Sequence, residues 1–280
     1  MTIIKIVTDS TADLSQEMID RYGISVLPLS IYMDGKVYLD RVDITPAEFM
    51  EKMKQTVDLP KSSQPSVGYF LETYKRLAEE ADEIISIHVS GTLSGTVQTA
   101  RLAAEQSKAK VTVVDSMFIS KGLSYQVIEA AQMAEKGCKM QEILDRLQKI
   151  KENTKLFVIL STLENLVKGG RIGKGTGMVG SLLKIKPISA LENGIYTQKK
   201  IARSYSQAIK YLIQTIRDET QGKVVKYMNL VHADGLDLAH QVKGKIQEIF
   251  GVKEIPIEET TPVIGTHTGS GALAFIYYAE

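Results

Sequence analysis

Apolar and polar residues alternate along the first half of the chain in short blocks of two kinds. "IIKIVTD", "DEIISIHV" and "KVTVVDS" are nearly continuous apolar runs of strand length, rich in β-branched residues. "LSQEMIDRYG", "PSVGYFLETYKRLAEEA" and "GTVQTARLAAEQS" instead repeat their apolar residues every three or four positions, as a half-buried helix does. "ISVLPLSIYM" and "KVYL" flank an Asp34-Gly35 turn, and two more helices fill Ile119 to Lys151. Thr45-Pro46-Ala47-Glu48 starts a helix, with a hydroxyl at the N-cap, proline in the first turn and glutamate where a capping box needs it. Strand, helix, strand at this spacing predicts parallel βαβ units in a doubly wound, mostly parallel sheet with helices on both faces. Ligands of such sheets sit beyond the carboxyl ends of the strands, here "VTDST", "HVSGTLSG" and "VVDS". The echo of "VTDS" (7–10) in "VVDS" (113–116) predicts a shared strand-end geometry, since four residues make no repeat.

The pattern changes near Asn153. "KLFVILSTLENLV" leads into a glycine-rich basic stretch, then into strand-like segments "KIKPISALENGIYTQKK", "VVKYMNLVHAD" and "KEIPIEETTPVIGTH". Helices over Ser204–Glu219 and Leu236–Phe250 separate them, and an Asn193-Gly194 turn makes neighbouring strands antiparallel. The pattern predicts an α/β domain over residues 1–152 and an α+β domain with a mixed or antiparallel sheet over 153–280.

Composition narrows the function classes. The 280 residues carry a formal net charge of +1, which argues against the basic surface that nucleic-acid binding requires. Between Lys168 and Arg203, however, eight Lys or Arg face one acid, Glu192, so this window is +7 and the remainder −6. The excess marks a docking surface for an acidic partner, phosphates or a membrane face, or else a solvated face dispersed by folding. A single cysteine, Cys138, fits a reducing compartment, and "MTIIKIVTDST" turns polar too soon for a signal segment. A cytoplasmic protein is expected.

Several motifs fall short of the chemistry they suggest. "GTGMVG" (175–180) has the glycine spacing of a dinucleotide fingerprint but follows "KGGRIGK" instead of a strand, which fits a loop entering the helix "MVGSLLKI". Neither Gly-Lys pair continues into a Walker A motif, and the glycines of "GSGALA" (269–274) suit close packing. His88, His232, His240 and His267 show no metal-ligand spacing, so no metal is expected. His88 sits in a buried-strand pattern, whereas His267 in "IGTHTGSG" is placed for polar contact with a ligand.

"SGTLSGTVQTA" (90–100) is the stretch with most chemistry. Its G-x-x-S-G is not the hydrolase elbow. It does combine a strand end with a helix start whose first amides have no intrahelical partner, beside the hydroxyls of Ser90, Thr92, Ser94 and Thr96. That is a pocket for a carboxylate or phosphate, unless Ser94 only caps its own helix. "KSSQPSVGYF" repeats the logic with Ser62 and Ser63 ahead of a helix start at Pro65.

The ordered set "IVTDSTADLS", "SSQPSVGYF", "SGTLSGTVQTA", "VVDSMFISKGL", "GGRI", "KIKPI" and "GTHTGSGALA" resembles the DegV family over essentially the whole chain. The resemblance implies one long-chain fatty acid, such as palmitate, bound between the two domains with its carboxylate held by hydroxyls and its tail buried. It implies a carrier in lipid transport or fatty acid metabolism, with no cofactor and no catalytic residue. In members called FakB, the acid is presented to a separate fatty acid kinase that forms acyl-phosphate. Under that reading the +7 window is expected to dock the kinase or to touch an anionic membrane transiently while the ligand is exchanged. Matched residue by residue, the ligand-binding set is Ser62, Ser94, His267 and Arg203. Ser62 stands where the family usually has threonine, and "KKIARS" departs from the usual arginine-rich segment around Arg203. The alternatives are a serine hydrolase using Ser94 and His267 with Asp9, Asp115 or Asp234, and a phosphate- or nucleotide-binding enzyme on the same helix start.

Overall fold

A computed structural model describes residues 2–172 and 185–280, which divide into two compact units. The first unit comprises Met1–Ile44 and Lys61–Glu152. Its strands β1 (Ile4–Asp9), β2 (Ser25–Leu27), β6 (Glu83–His88) and β7 (Val111–Asp115) form an all-parallel sheet in the order β2-β1-β6-β7. Every residue of β6 is buried, so both faces of this central strand are covered, which is why "EIISIH" reads as an unbroken run. Helices α3 (Val67–Leu77) and α4 (Thr96–Gln106) set Phe70, Tyr74, Ala100 and Ala103 against Val7, Leu27 and Ile84. Helix α5 (Lys121–Glu135) packs on β1 and β6, and α1 (Gln16–Tyr22) packs on α5. Ser15 and Ser66 cap α1 and α3 by accepting the amides of Met18 and Tyr69. Helix α6 (Met140–Asn153) ends the unit, burying Ile143, Leu147 and Ile150.

The single run "ISVLPLSIYM" breaks at Pro28, which has no N–H to donate to a ladder. Before the proline, β2 joins the parallel sheet. After it, β3 (Ser30–Met33) enters an antiparallel sheet with β4 (Lys36–Leu39) and β5 (Lys61–Ser63), in the order β4-β3-β5. Asp34 and Gly35 turn between β3 and β4 with φ of 50° and 76°, as a tight hairpin requires.

The second unit comprises Thr45–Pro60 and Asn153–Glu280. The sequence pattern leaves residues 45–60 with the first domain. Helix α2 (Pro46–Met53) carries the expected capping box between Thr45 and Glu48, and its Phe49 and Met50 pack on Gly265. The six-stranded sheet has the order β10-β9-β8-β13-β11-β12. These strands are β8 (Thr154–Ile159), β9 (Lys186–Glu192), β10 (Ile195–Ala202), β11 (Val225–Ala233), β12 (Ile257–Glu259) and β13 (Ala272–Ala279). All pairs are antiparallel except β11 with β12, so the sheet is mixed. Helices α8 (Tyr205–Thr220) and α9 (Leu236–Phe250) bury Leu212, Ile216, Val242 and Ile246 in the unit's core with Phe275 and Tyr277 of β13. Strand β13 lies in the middle of the sheet, although the sequence pattern marks only the glycines before it. "PVIGTH" is not a strand but the start of α10 (Pro262–Thr268), with proline at the position where a helix tolerates it. The short α7 (Glu164–Lys168) follows β8. "GTGMVG", most of "MVGSLLKI" and the charges of Lys174 and Lys184 lie outside the described residues. Among the described residues, no helix is long and apolar enough to cross a membrane.

Candidate functional site

The carboxyl ends of β1, β6 and β7 lie side by side, and two aspartates there hold the loop that leads into α4. Asp9 and Asp115 each end a strand, and each turns Oδ1 onto the amide two residues ahead: Thr11 at 3.1 Å and Met117 at 2.9 Å. Each turns Oδ2 onto the loop after β6: Asp9 onto the N–H of Val89 at 2.9 Å, Asp115 onto that of Gly91 at 3.1 Å. This is the shared geometry behind "VTDS" and "VVDS". A Cβ at Gly91 would come within 2.8 Å of the Asp115 carboxylate, so glycine is what lets the loop approach.

The loop then makes one tight turn, with the amides of Leu93 and Ser94 donating to the Ser90 carbonyl, and α4 begins at Thr96. Its N-cap is Gly95, which has no side chain to offer, and no side chain caps the helix. The Ser94 hydroxyl bonds that of Thr96 at 2.8 Å and takes only a long 3.4 Å contact from the Thr96 N–H. Ser94 therefore stands beside the helix start without filling it. The "SSQPS" segment comes to the same place. Ser62 is half-buried on β5, opposite Ile31, and Gln64 two residues later reaches α4, where a Cβ on Gly95 would lie 2.7 Å from Gln64 Nε2. The start of α4 is thus flanked by the Ser94 and Thr96 hydroxyls and by the Gln64 carboxamide, groups of the kind that can donate to an anion.

His88 is fully buried at the end of β6. Tyr74 donates to the Ser86 hydroxyl at 2.8 Å, Ser86 meets His88 Nε2 at 2.7 Å, and His88 Nδ1 meets Asp9 Oδ2 at 3.0 Å. The Asp9 carboxylate can only accept, so His88 Nδ1 donates to it, and the ring bridges Asp9 to the Ser86–Tyr74 pair. Burial raises the Tyr74 hydroxyl to about 12. Ser86, His88 and Asp9 have the residue types of a nucleophilic relay, but all three are 0% exposed and serve to fix Asp9. The hydrolase alternative finds its carboxylates otherwise engaged. Asp9 and Asp115 hold amides, while Asp234 accepts the Ser270 hydroxyl at 2.7 Å and pairs with Lys54 at 3.1 Å.

His267 and Arg203 belong to the second unit. His267 lies on α10, and its ring packs so closely on Gly169 that a Cβ there would meet Nδ1 at 2.5 Å. Asn165 joins the same two segments by donating to the Thr266 carbonyl at 3.1 Å. Burial first, and the nearby Arg171 second, lower the His267 pKa to about 4, so the imidazole is neutral at pH 7. The cation acting on His267 is therefore Arg171, which sequence reasoning passed over although it lies in the quoted "GGRI". Arg203 is exposed between β10 and α8, its N–H donating to the Gln207 side chain at 2.9 Å. Among the described residues, no group of three or more His, Cys, Asp or Glu could hold a metal ion.

A family model described as "Uncharacterised protein, DegV family" matches residues 3–280. A DegV domain-containing protein of Listeria monocytogenes is 44% identical over 281 residues, covering 100% of both chains. A fatty-acid-binding DegV family protein from Thermus thermophilus superimposes with a TM-score of 0.92 at 34% identity, over 100% of both chains. A Thermotoga maritima protein whose structure revealed a fatty acid binding function matches with a TM-score of 0.87 at 30% identity, again over 100% of both. With its motifs, its fold and these relatives in agreement, the chain belongs to the DegV family.

Proposed function

We propose that this protein binds one long-chain fatty acid and carries it without transforming it. The observation that carries this reading is the start of α4, which has no side-chain cap and is flanked by Ser94, Thr96 and the Ser62–Gln64 segment. A carboxylate suits such a site, because oriented amides and hydroxyls hold it without a lysine. The Thermus and Thermotoga relatives, both described as binding fatty acids, support the choice of ligand. Most of the affinity would come from the tail, at roughly 0.8 kcal/mol per buried methylene before the cost of ordering the chain is subtracted.

In this reading Ser62 and Ser94 anchor the carboxylate, and His267 and Arg203 complete the set by family resemblance. Palmitate is the expected class of acid. The protein works in the cytoplasm, in lipid transport or fatty acid metabolism, and hands its acid to a separate kinase that forms acyl-phosphate, with passing membrane contact during exchange. The test is to purify the protein from cells, denature it and measure the released acids by mass spectrometry. About one long-chain acid per chain is expected. No acid released, together with no uptake of added palmitate, overturns the proposal.

A further inference from the structure

Helices α8 and α9 leave a groove of about 650 Å³ between them. Its apolar lining is Ile249 of α9, 38% exposed, with the edges of Ile209 and Ile213 of α8, each 8% exposed, forming the floor. Lys210, Arg217 and Lys245 also line it, and no carboxylate does. Of the acids on the two helices, Glu248 pairs with Lys245 at 2.7 Å and so offsets that cation, and Asp218 accepts from Gln214 at 2.8 Å. Lys210 and Arg217 take no ion pair among the described residues.

Gly244 is the second observation. It stands in the middle of α9 on the groove wall, and a Cβ added there would meet nothing within 4 Å. Glycine inside a helix is destabilising relative to alanine, and this chain's own packing gives no reason for it. A missing side chain on an open wall leaves room for another backbone to approach closely. The groove is flanked by helices of 16 and 15 residues, the setting in which a third amphipathic helix lays its apolar face. Charge then selects the occupant. A second copy of this face would set cation against cation, whereas a helix flanked by carboxylates would match them.

We infer that the α8–α9 groove is a docking site for an acidic amphipathic helix of a partner protein, with its apolar face on the isoleucines and its backbone closest at Gly244. The inference is independent of the fatty acid reading. The probe is a fluorescein-labelled 18-residue helical peptide with leucine and alanine on one face and glutamate flanking it, beside a twin carrying lysine for each glutamate. Fluorescence anisotropy should show the glutamate peptide binding at least tenfold more tightly than the lysine twin. Lys210→Glu with Arg217→Glu should abolish or reverse that preference. Gly244→Leu should weaken binding at least tenfold without lowering the unfolding temperature. Equal binding of the two peptides, no binding, or binding unaffected by these substitutions overturns the inference. So does concentration-dependent self-association in sedimentation that Gly244→Leu removes, because that outcome makes a second copy the occupant.

Discussion

Asp9 at the end of β1 accepts the main-chain N–H of Val89 at the end of β6, at 2.9 Å, and so ties the loop entering α4 to the neighbouring strand. Asp115 does the same for Gly91 from the other side. The two differ in what their loss should cost. Asp9 is fully buried and takes four donors, from Thr11 N–H and hydroxyl, His88 and Val89, so Asp9→Ala would strand several polar groups. A loss on the order of 3 kcal/mol in urea-unfolding free energy is expected. Asp115 is only half-buried, so Asp115→Ala should cost about 1 kcal/mol while still loosening the loop and weakening palmitate binding. Equal stability losses in the two variants would contradict the assignment.

Ser94→Ala removes a hydroxyl that bonds Thr96 and contributes only a 3.4 Å contact to the helix start. The fold has little to lose, and the thermal midpoint should stay within a degree or two. A carboxylate held there would lose about 1 kcal/mol of binding, or roughly fivefold in affinity. Calorimetric titration with palmitate measures this directly, and an unchanged affinity would remove Ser94 from the anchor.

Much of this arrangement is legible in the chain, and the gaps have physical causes. The parallel sheet is legible because its central strand is covered on both faces and reads as one apolar run. The twin aspartates show as the "VTDS" and "VVDS" echo because both do the same local work on the amide two residues ahead. Their second bonds, to Val89 and Gly91, are long-range and leave no local signal. For the same reason the Thr45–Glu48 capping box shows where α2 begins but not that Phe49 and Met50 pack on Gly265, more than two hundred residues away. Strand β13 is hidden by its neighbours, since "GTHTGSG" draws attention to glycine chemistry just before one of the two central strands of its sheet. Arg203 suggests a ligand contact through its family position. The cation electrostatically coupled to His267 is Arg171, a tertiary fact that no spacing encodes.

Gly169 and Gly170 are neighbours with different duties, and alanine substitutions separate them. At Gly169 a Cβ would lie 2.5 Å from His267 Nδ1 and 2.9 Å from the Asn165 carbonyl, so α7 and the ring must part. At Gly170 there is open space, but φ is +70°, a backbone region that alanine occupies only with strain. Gly170→Ala should therefore cost about 1 kcal/mol and leave His267 undisturbed. Gly169→Ala should cost roughly 1–3 kcal/mol and shift the His267 ring resonances in NMR spectra. Identical His267 shifts in the two variants would argue against the contact.

His267 should make the second unit sensitive to acid. Its folded-state pKa of about 4 lies below the ordinary histidine value of 6.5, chiefly because burial disfavours the charged ring and secondarily because Arg171 repels it. Well above pH 6.5 the imidazole is neutral in both folded and unfolded chains and contributes no pH dependence. As pH falls through 6.5 the unfolded chain takes up a proton that the folded one refuses, so stability declines. The slope approaches about 1.4 kcal/mol per pH unit and levels off near pH 4, for a total of roughly 3 kcal/mol from this residue. Burial lowers the His232 pKa as well, so part of the acid sensitivity should persist without His267. His267→Gln should flatten the decline between pH 6.5 and 4 while changing stability at pH 7 far less. Urea unfolding at half-unit pH intervals would show it, and a variant that declines as steeply as the parent would mean that the ring is protonated in the folded protein.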